Sequence, residues 1–199
     1  LAVRRAPDAK PGTFLGFEYE EATVKAAKFM PPITQGRGRF SLMEGRMVIA
    51  LDSGEVMPPE GGAVQLAGTS FIIPDTRIKG GAPAVLRLRS HSSLTGAMSL
   101  LNAPPLSVAD KAKLPVPLAD GEAGIEGTVA FPLKKDREPG STRFDVTGDL
   151  FGVTSDVLVK DRRLEAARLV IEVYNETVTL AGSAEVDAVP FEGSFVQPL

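Results

Sequence analysis

The chain has no cysteine, no tryptophan, two tyrosines and one histidine in 199 residues. Without cysteine there is no disulfide scaffold, no thiolate metal site and no cysteine nucleophile. That absence suits an oxidising compartment as well as a reducing one, so it locates nothing by itself. Sugar-binding clefts lean on aromatic platforms, and a chain without tryptophan has few to offer. The lone histidine, His91, would have to serve any Ser–His–acid site, yet Ser90, Ser92 and Ser93 are its neighbours only in sequence. Zinc there would need further ligands, and only carboxylates remain. His91 stands where a strand gives way to a helix, and a surface or capping role is expected. Long apolar runs are also missing. Met47 to Leu51 is among the longest, far short of the roughly 18 residues that span a bilayer. Basic charge is not in excess: net charge is −3 and pI about 5.3. Nucleic-acid binding needs a basic face, which this balance does not support. The pairs Lys134-Lys135 and Arg162-Arg163 are too short for a nucleic-acid or membrane footprint. Gln35-Gly36-Arg37-Gly38 lacks the spacing and Lys-Ser/Thr of a phosphate loop. Asp145 and Asp149 share a strand face and read as solvated rather than as an acid–base pair. No active site, metal site or cofactor site assembles, so no enzyme is expected.

What is present points to strands. Glycine (20) and proline (16) together make up about 18% of the chain, against a usual value of roughly 12%. Such an excess implies many turns. Arg168 to Phe195 fits a three-stranded antiparallel meander. A two-residue turn at Asn175-Glu176 sets Val173 opposite Val178 and Ile171 opposite Leu180. A second at Asp187-Ala188 sets Val186 opposite Val189, Ala184 opposite Phe191 and Leu180 opposite Phe195. Both turns gather the apolar side chains on one face, and a one-residue slip would scatter them. The other face carries Glu172, Thr177, Thr179, Ser183, Glu185, Glu192 and Ser194. The turn also explains Asn175-Glu176-Thr177 better than its match to a glycosylation sequon does.

The same logic runs through the rest of the chain. Residues 1–12 form a leader or edge segment. Thr13 to Val24 gives one or two strands, preferred over a short helix at Ala22 to Met30. A hairpin turn at Glu44-Gly45 pairs Leu42 with Met47 and Phe40 with Ile49, since Gly accepts positive φ. Ala63 to Ile73 is a strand with a bulge near Gly68, and Ala84 to Arg89 another. The period then changes: Leu94, Ala97, Met98 and Leu101 make one helical face over about 93–102. Ser92 or Ser93 caps it, Pro104-Pro105 ends it, and a single turn follows at Ser107 to Lys113. Strands resume at Ile125 to Leu133, Phe144 to Leu150 and Val153 to Val159, with a charged loop at Lys134 to Ser141 and a turn at Lys160 to Arg163. Gly38, Gly127, Gly148, Gly182 and Gly193 all fall on the apolar side, where missing side chains would let the sheet curl around that face. The fold expected is mainly β: one long, strongly curved antiparallel sheet, a β-groove or open jelly-roll-like form, with one short amphipathic helix. That helix is too short to cover some ten strands. The sheet must then fold over on itself, with its walls either meeting in a core or leaving a slot.

Four stretches, PPITQGRGRFSLMEGRMVIALDSGEV (31–56), SLTGAMSLLNAPPLSVADKAKL (93–114), GEAGIEGTVAFPL (121–133) and LVIEVYNETVTLAGSAEVDAVPFEGSF (169–195), carry a resemblance. The chain is similar to the AsmA-like superfamily of Gram-negative envelope proteins of YhdP and TamB type, in particular to the domain preceding the AsmA-like C-terminal region. These are soft patterns of Gly, Pro and apolar positions, not a catalytic signature. The resemblance implies a bridge-like lipid-transfer module in the periplasm, anchored to the inner membrane in the full-length protein and serving outer-membrane biogenesis. It implies phospholipid acyl chains as partners, contact with both membranes through segments outside this chain, and neither enzymatic activity nor a cofactor. Because the chain begins at Leu1 rather than Met, a fragment of a longer protein is expected. Oligomers of such a fragment would then reflect sheet edges opened by truncation.

On this reading the groove lining is Phe40, Leu42, Ile49, Ile125, Val129, Phe131, Phe144, Val146, Leu169, Ile171, Val173, Val178, Leu180, Phe191 and Phe195. The alternatives are a scaffolding β module with a closed core, and a carbohydrate-active or other hydrolytic β-fold. The first differs in having no accessible apolar slot. The second would need converging carboxylates or aromatic platforms.

Overall fold

A computed structural model describes residues 2–4, 12–26, 30–104, 107–134, 140–175 and 177–198. Twelve strands form one antiparallel sheet: β1 (Ala2–Arg4), β2 (Gly12–Val24), β3 (Ile33–Met43), β4 (Arg46–Val56), β5 (Val64–Gln65), β6 (Ser70–Ile73), β7 (Pro83–Ser93), β8 (Asp120–Pro132), β9 (Arg143–Val159), β10 (Arg162–Tyr174), β11 (Thr177–Val186) and β12 (Val189–Pro198). Each follows its predecessor in space, with β5 and β6 sharing the slot between β4 and β7. Two helices, α1 (Leu94–Asn102) and α2 (Val108–Ala112), join β7 to β8.

The registers are those the turns dictate. Val173 lies opposite Val178, Ile171 opposite Leu180, Ala184 opposite Phe191 and Leu180 opposite Phe195. Leu42 lies opposite Met47 and Phe40 opposite Ile49. Asp187 and Ala188 have φ of 50° and 64°, and Glu44 and Gly45 have 51° and 90°. Left-handed φ at both central residues is the primed turn whose twist matches the flanking strands.

Three expectations need adjustment. Ala63 to Ile73 is two short strands rather than one bulged strand. Gly68 turns the chain with φ 88°, and the Thr69 hydroxyl replaces a ladder rung, donating to the Arg89 carbonyl (2.8 Å) and accepting from the Arg89 N–H (3.0 Å). Phe144 to Val159 is one strand of 17 residues with the rest of β9, because Gly152 at φ 58° bends the chain without ending its pairing. The turn after it is only Lys160-Asp161. In the opening segment Ala2–Arg4 is an edge strand on β2; residues 1 and 5–11, most of the charged loop (135–139) and Glu176 lie outside the described residues.

The sheet is regular at one end and bulged at the other. Register shifts fall at Tyr19/Ala22, Thr34/Arg37, Asp120/Glu122 and Glu165/Arg168. All lie toward the end bearing α1. A bulge bends its strand and increases twist, so the sheet curls there. The opposite end, bounded by the turns at Glu44-Gly45 and after Tyr174, pairs without interruption.

The core sits where the helix does. Leu94 packs with Ala123, Leu150, Val153, Ala166, Leu169 and Ala184. Leu100, from the same helix, packs with Leu51, Val56, Val64 and Leu66. Strand-to-strand packing is between neighbours along the sheet, and no large side chain is fully buried among the described residues. The protein exposes 12971 Å², whereas a compact monomer of 21.0 kDa would expose about 9,000 Å². The sheet curves but does not close on itself.

Candidate functional site

Strand pairing aligns one apolar face across the sheet. From β2 to β12 it runs through Leu15 and Phe17, Phe40 and Leu42, Met47 and Ile49, Phe71, Leu86, Val129 and Phe131, Phe144 and Val146, Ile171 and Val173, Val178 and Leu180, then Phe191 and Phe195. From β2 to β12 the path counts ten strands, and at about 4.8 Å they give a face roughly 43 Å long. All fifteen lining residues expected from sequence lie on it. Leu15, Phe17, Met47, Phe71 and Leu86 belong to it as well; the hairpin at Glu44-Gly45 had already set Met47 opposite Leu42, and Leu86 lies in the strand expected at Ala84 to Arg89, whereas the strands of Leu15, Phe17 and Phe71 were bounded only coarsely.

Helix α1 divides this face. It crosses the middle strands at the bulged end, and its placement is specific. Ser93 caps the helix, accepting from the Gly96 N–H at 2.9 Å, and donates to the Gly61 carbonyl at 2.6 Å. The Ser99 hydroxyl accepts from the Glu60 N–H at 3.2 Å. Gly61 and Gly96 meet backbone to backbone, so a side chain on Gly61 would collide with the helix. Leu169, one of the expected lining residues, is 7% exposed within the cluster under α1. Ile125, Ile171 and Leu180 border that cluster. The rest of the lining is half-buried by its neighbours in the sheet, with no second layer packed over it among the described residues, and Phe17, Phe191 and Phe195 are 51%, 45% and 59% exposed.

Aromatic contacts organise the open part. Phe17 stacks on Phe40 with ring centroids 4.8 Å apart, and Phe71 approaches Phe131 at 6.4 Å. Tyr19 lies over Gly38 and donates to the Ala50 carbonyl at 2.8 Å. Burial raises the Tyr19 pKa above its ordinary value, and the charge of Asp52 adds to the effect. Gly148 leaves room on the same face for Ile125 and Ile171, which converge over it. Four of the five glycines expected on this face are closely approached; at Gly193 a side chain would meet only Phe191 Cδ2, at 3.9 Å.

Polar groups lie on the other face and along the rims. His91 is exposed, with Nε2 3.5 Å from a Glu122 carboxylate oxygen. Asp149 is ion-paired with Arg168 at 2.6 Å. His91 and Asp149, with Arg89 and Glu126, border a shallow hollow of about 640 Å³ on the polar face; its mixed charges are spread across neighbouring strands. At the uncovered end, Arg46, Lys79, Lys134 and Arg143 are exposed and make no ion pair among the described residues. Beside them Arg77 grips Asp75 through two hydrogen bonds (2.8 and 2.9 Å), which hold the carboxyl down at about 2.

Chemically, the arrangement offers a long oily surface, open over most of its length and bordered at one end by exposed cations that make no ion pair among the described residues. No family model, curated protein or solved structure matches this chain.

Proposed function

We propose that this chain is a lipid-transport module that holds phospholipid acyl chains along its apolar face. The observation that carries the reading is an apolar surface across ten strands that, away from α1, no second layer covers among the described residues. Soluble monomers rarely expose apolar patches beyond a few hundred square ångströms, and hydrocarbon chains are suited to a long, unspecific, oily track. The exposed cations at the uncovered rim (Arg46, Lys79, Lys134 and Arg143) favour a lipid with a phosphate headgroup, which lies in water beside them while its tails lie on the sheet. Similarity to the AsmA-like envelope proteins supplies the setting: the periplasm, with lipid passing between inner and outer membranes and the ends of the conduit outside this chain. The cluster under α1 is structural packing and also suits a scaffolding module, the competing reading.

Lipid extracted from the purified protein separates the two. Co-purifying phospholipid is expected, and its complete absence would favour the scaffold. Ile171→Asp and Phe17→Asp each place a charge on the track, where desolvating it is costly. Each is expected to reduce retained lipid severalfold. Phe17 is half-exposed, so that variant keeps its fold. In the full-length protein Ile171→Asp is expected to block transport while sparing export. Normal lipid retention or transport by these variants would show that the face is not the track.

A further inference from the structure

Resting on the lipid-holding role above, we propose that helix α1 is the stop that sets how long an acyl tail this face accepts, with each tail lying along the strands and its headgroup at the uncovered rim.

The two ends of the strands differ in charge. At one end stand the exposed cations Arg46, Lys79, Lys134 and Arg143. At the other, beside α1, stand the exposed acids Glu60 and Glu122, the first bonded to Ser99 through its backbone and the second opposite Ser93. A phosphate is therefore favoured at the rim and disfavoured next to the helix.

Between those ends the apolar residues of β9 and β10 lie in rows across the sheet. The outermost row holds Phe144, the next Val146 opposite Val173, and the third Ile171 opposite Gly148. These rows are open. The fourth row, Leu150 opposite Leu169, is buried in the cluster on which Leu94 packs. Phe144 to Leu150 is six residues, about 20 Å at roughly 3.3 Å each, and the open rows take about 13 Å of it. One leaflet of a bilayer holds its tails in about 15 Å, half the hydrocarbon thickness. The open rows are thus about one leaflet deep. Across the strands the same face runs roughly 43 Å, which gives several tails room side by side but supplies no end for any of them. Only along the strands does a tail meet a headgroup site at one end and a wall at the other.

The wall is held in place by the loop before β5. Ser93 donates to the Gly61 carbonyl, Ser99 accepts from the Glu60 N–H, and Gly61 meets Gly96 backbone to backbone. A methylene that moves from a membrane onto the open rows exchanges one oily surrounding for another. A methylene that α1 holds off the sheet stays in water, which weakens binding about fourfold for each such group.

The test is to incubate the purified protein with vesicles of dimyristoleoyl, dioleoyl and dierucoyl phosphatidylcholine in equal parts, separate it, and count its bound lipid by mass spectrometry. The two shorter lipids are expected in proportion to supply. The dierucoyl lipid, with tails about four carbons longer than dioleoyl, is expected about tenfold or more below supply. Leu94→Ala, which cuts back the stop, should raise the dierucoyl share severalfold relative to the dioleoyl share. Because that variant also weakens the cluster, Ser93→Ala, which loosens the seat of the helix instead, should shift the ratio the same way. A photoreactive diazirine at the tail terminus should label α1, and one beside the ester should label the Phe144 end. Binding of all three lipids in proportion to supply, a reversed labelling pattern, or a ratio unmoved by both variants would overturn the stop while leaving the lipid-holding role intact. No bound lipid of any length would overturn both.

Discussion

Single residues decide the turns of this sheet, and one of them is poorly suited to its place. Ala188 holds φ at 64°. A left-handed backbone costs an L-residue with a Cβ roughly 1–2 kcal/mol, whereas glycine takes it freely at some entropic cost in the unfolded chain. Ala188→Gly is therefore expected to stabilise the protein by about 0.5–1 kcal/mol, read as a higher urea midpoint at unchanged slope. Asp187, beside it, is a residue type that enters the same region more readily than most, and its Oδ1 accepts from the N–H of Arg163, across the sheet in β10, at 3.2 Å. Turn residues of this kind were legible in the sequence, since their chemistry is confined to two or three positions. Tyr19 was not. Its partner, the Ala50 carbonyl, lies two strands away, and nothing in the sequence near Tyr19 announces it.

At the level of elements, the strands were readable and the seat of the helix was not. Phe40 to Leu51 and Arg168 to Phe195 declared their registers because alternation and a two-residue turn together leave one solution that keeps the oily side chains on one face. The Ser93 cap was equally plain, as one of two serines before the helical period. Which strands α1 would cover depends on Gly61, more than thirty residues earlier, and on leucines that reach both clusters. Ser93→Ala removes the cap and the bond to Gly61 together. Loss of the cap alone costs about 1 kcal/mol, and somewhat more is expected here. Hydrogen exchange should show faster exchange at the amides of α1, with those of β10 and β11 unchanged.

For the whole molecule, the decisive quantity is exposed area. An unfolded chain of this mass exposes about 30,000 Å², so unfolding this sheet uncovers roughly a fifth less surface than unfolding a compact monomer would. Because the urea slope scales with that area, its value is expected to fall roughly a fifth below that of compact proteins of equal length. A slope at the compact value would mean that the sheet closes on itself in solution. Bound phospholipid should raise the melting temperature in proportion to its occupancy of the folded state.

By itself the sequence determined that the chain makes two-faced strands, where the turns at Glu44-Gly45 and Asp187-Ala188 fall and which residues stand opposite one another across them. Those features rest on period-two alternation and on backbone preferences a few residues long. Only the tertiary structure decided that the walls stay apart, that α1 closes one end of the apolar face and that the rest lies open. These outcomes depend on contacts between residues far apart in the chain: Gly61 on Gly96, Leu94 on one cluster and Leu100 on the other. They depend also on where bulges bend the strands, and no local pattern specifies either.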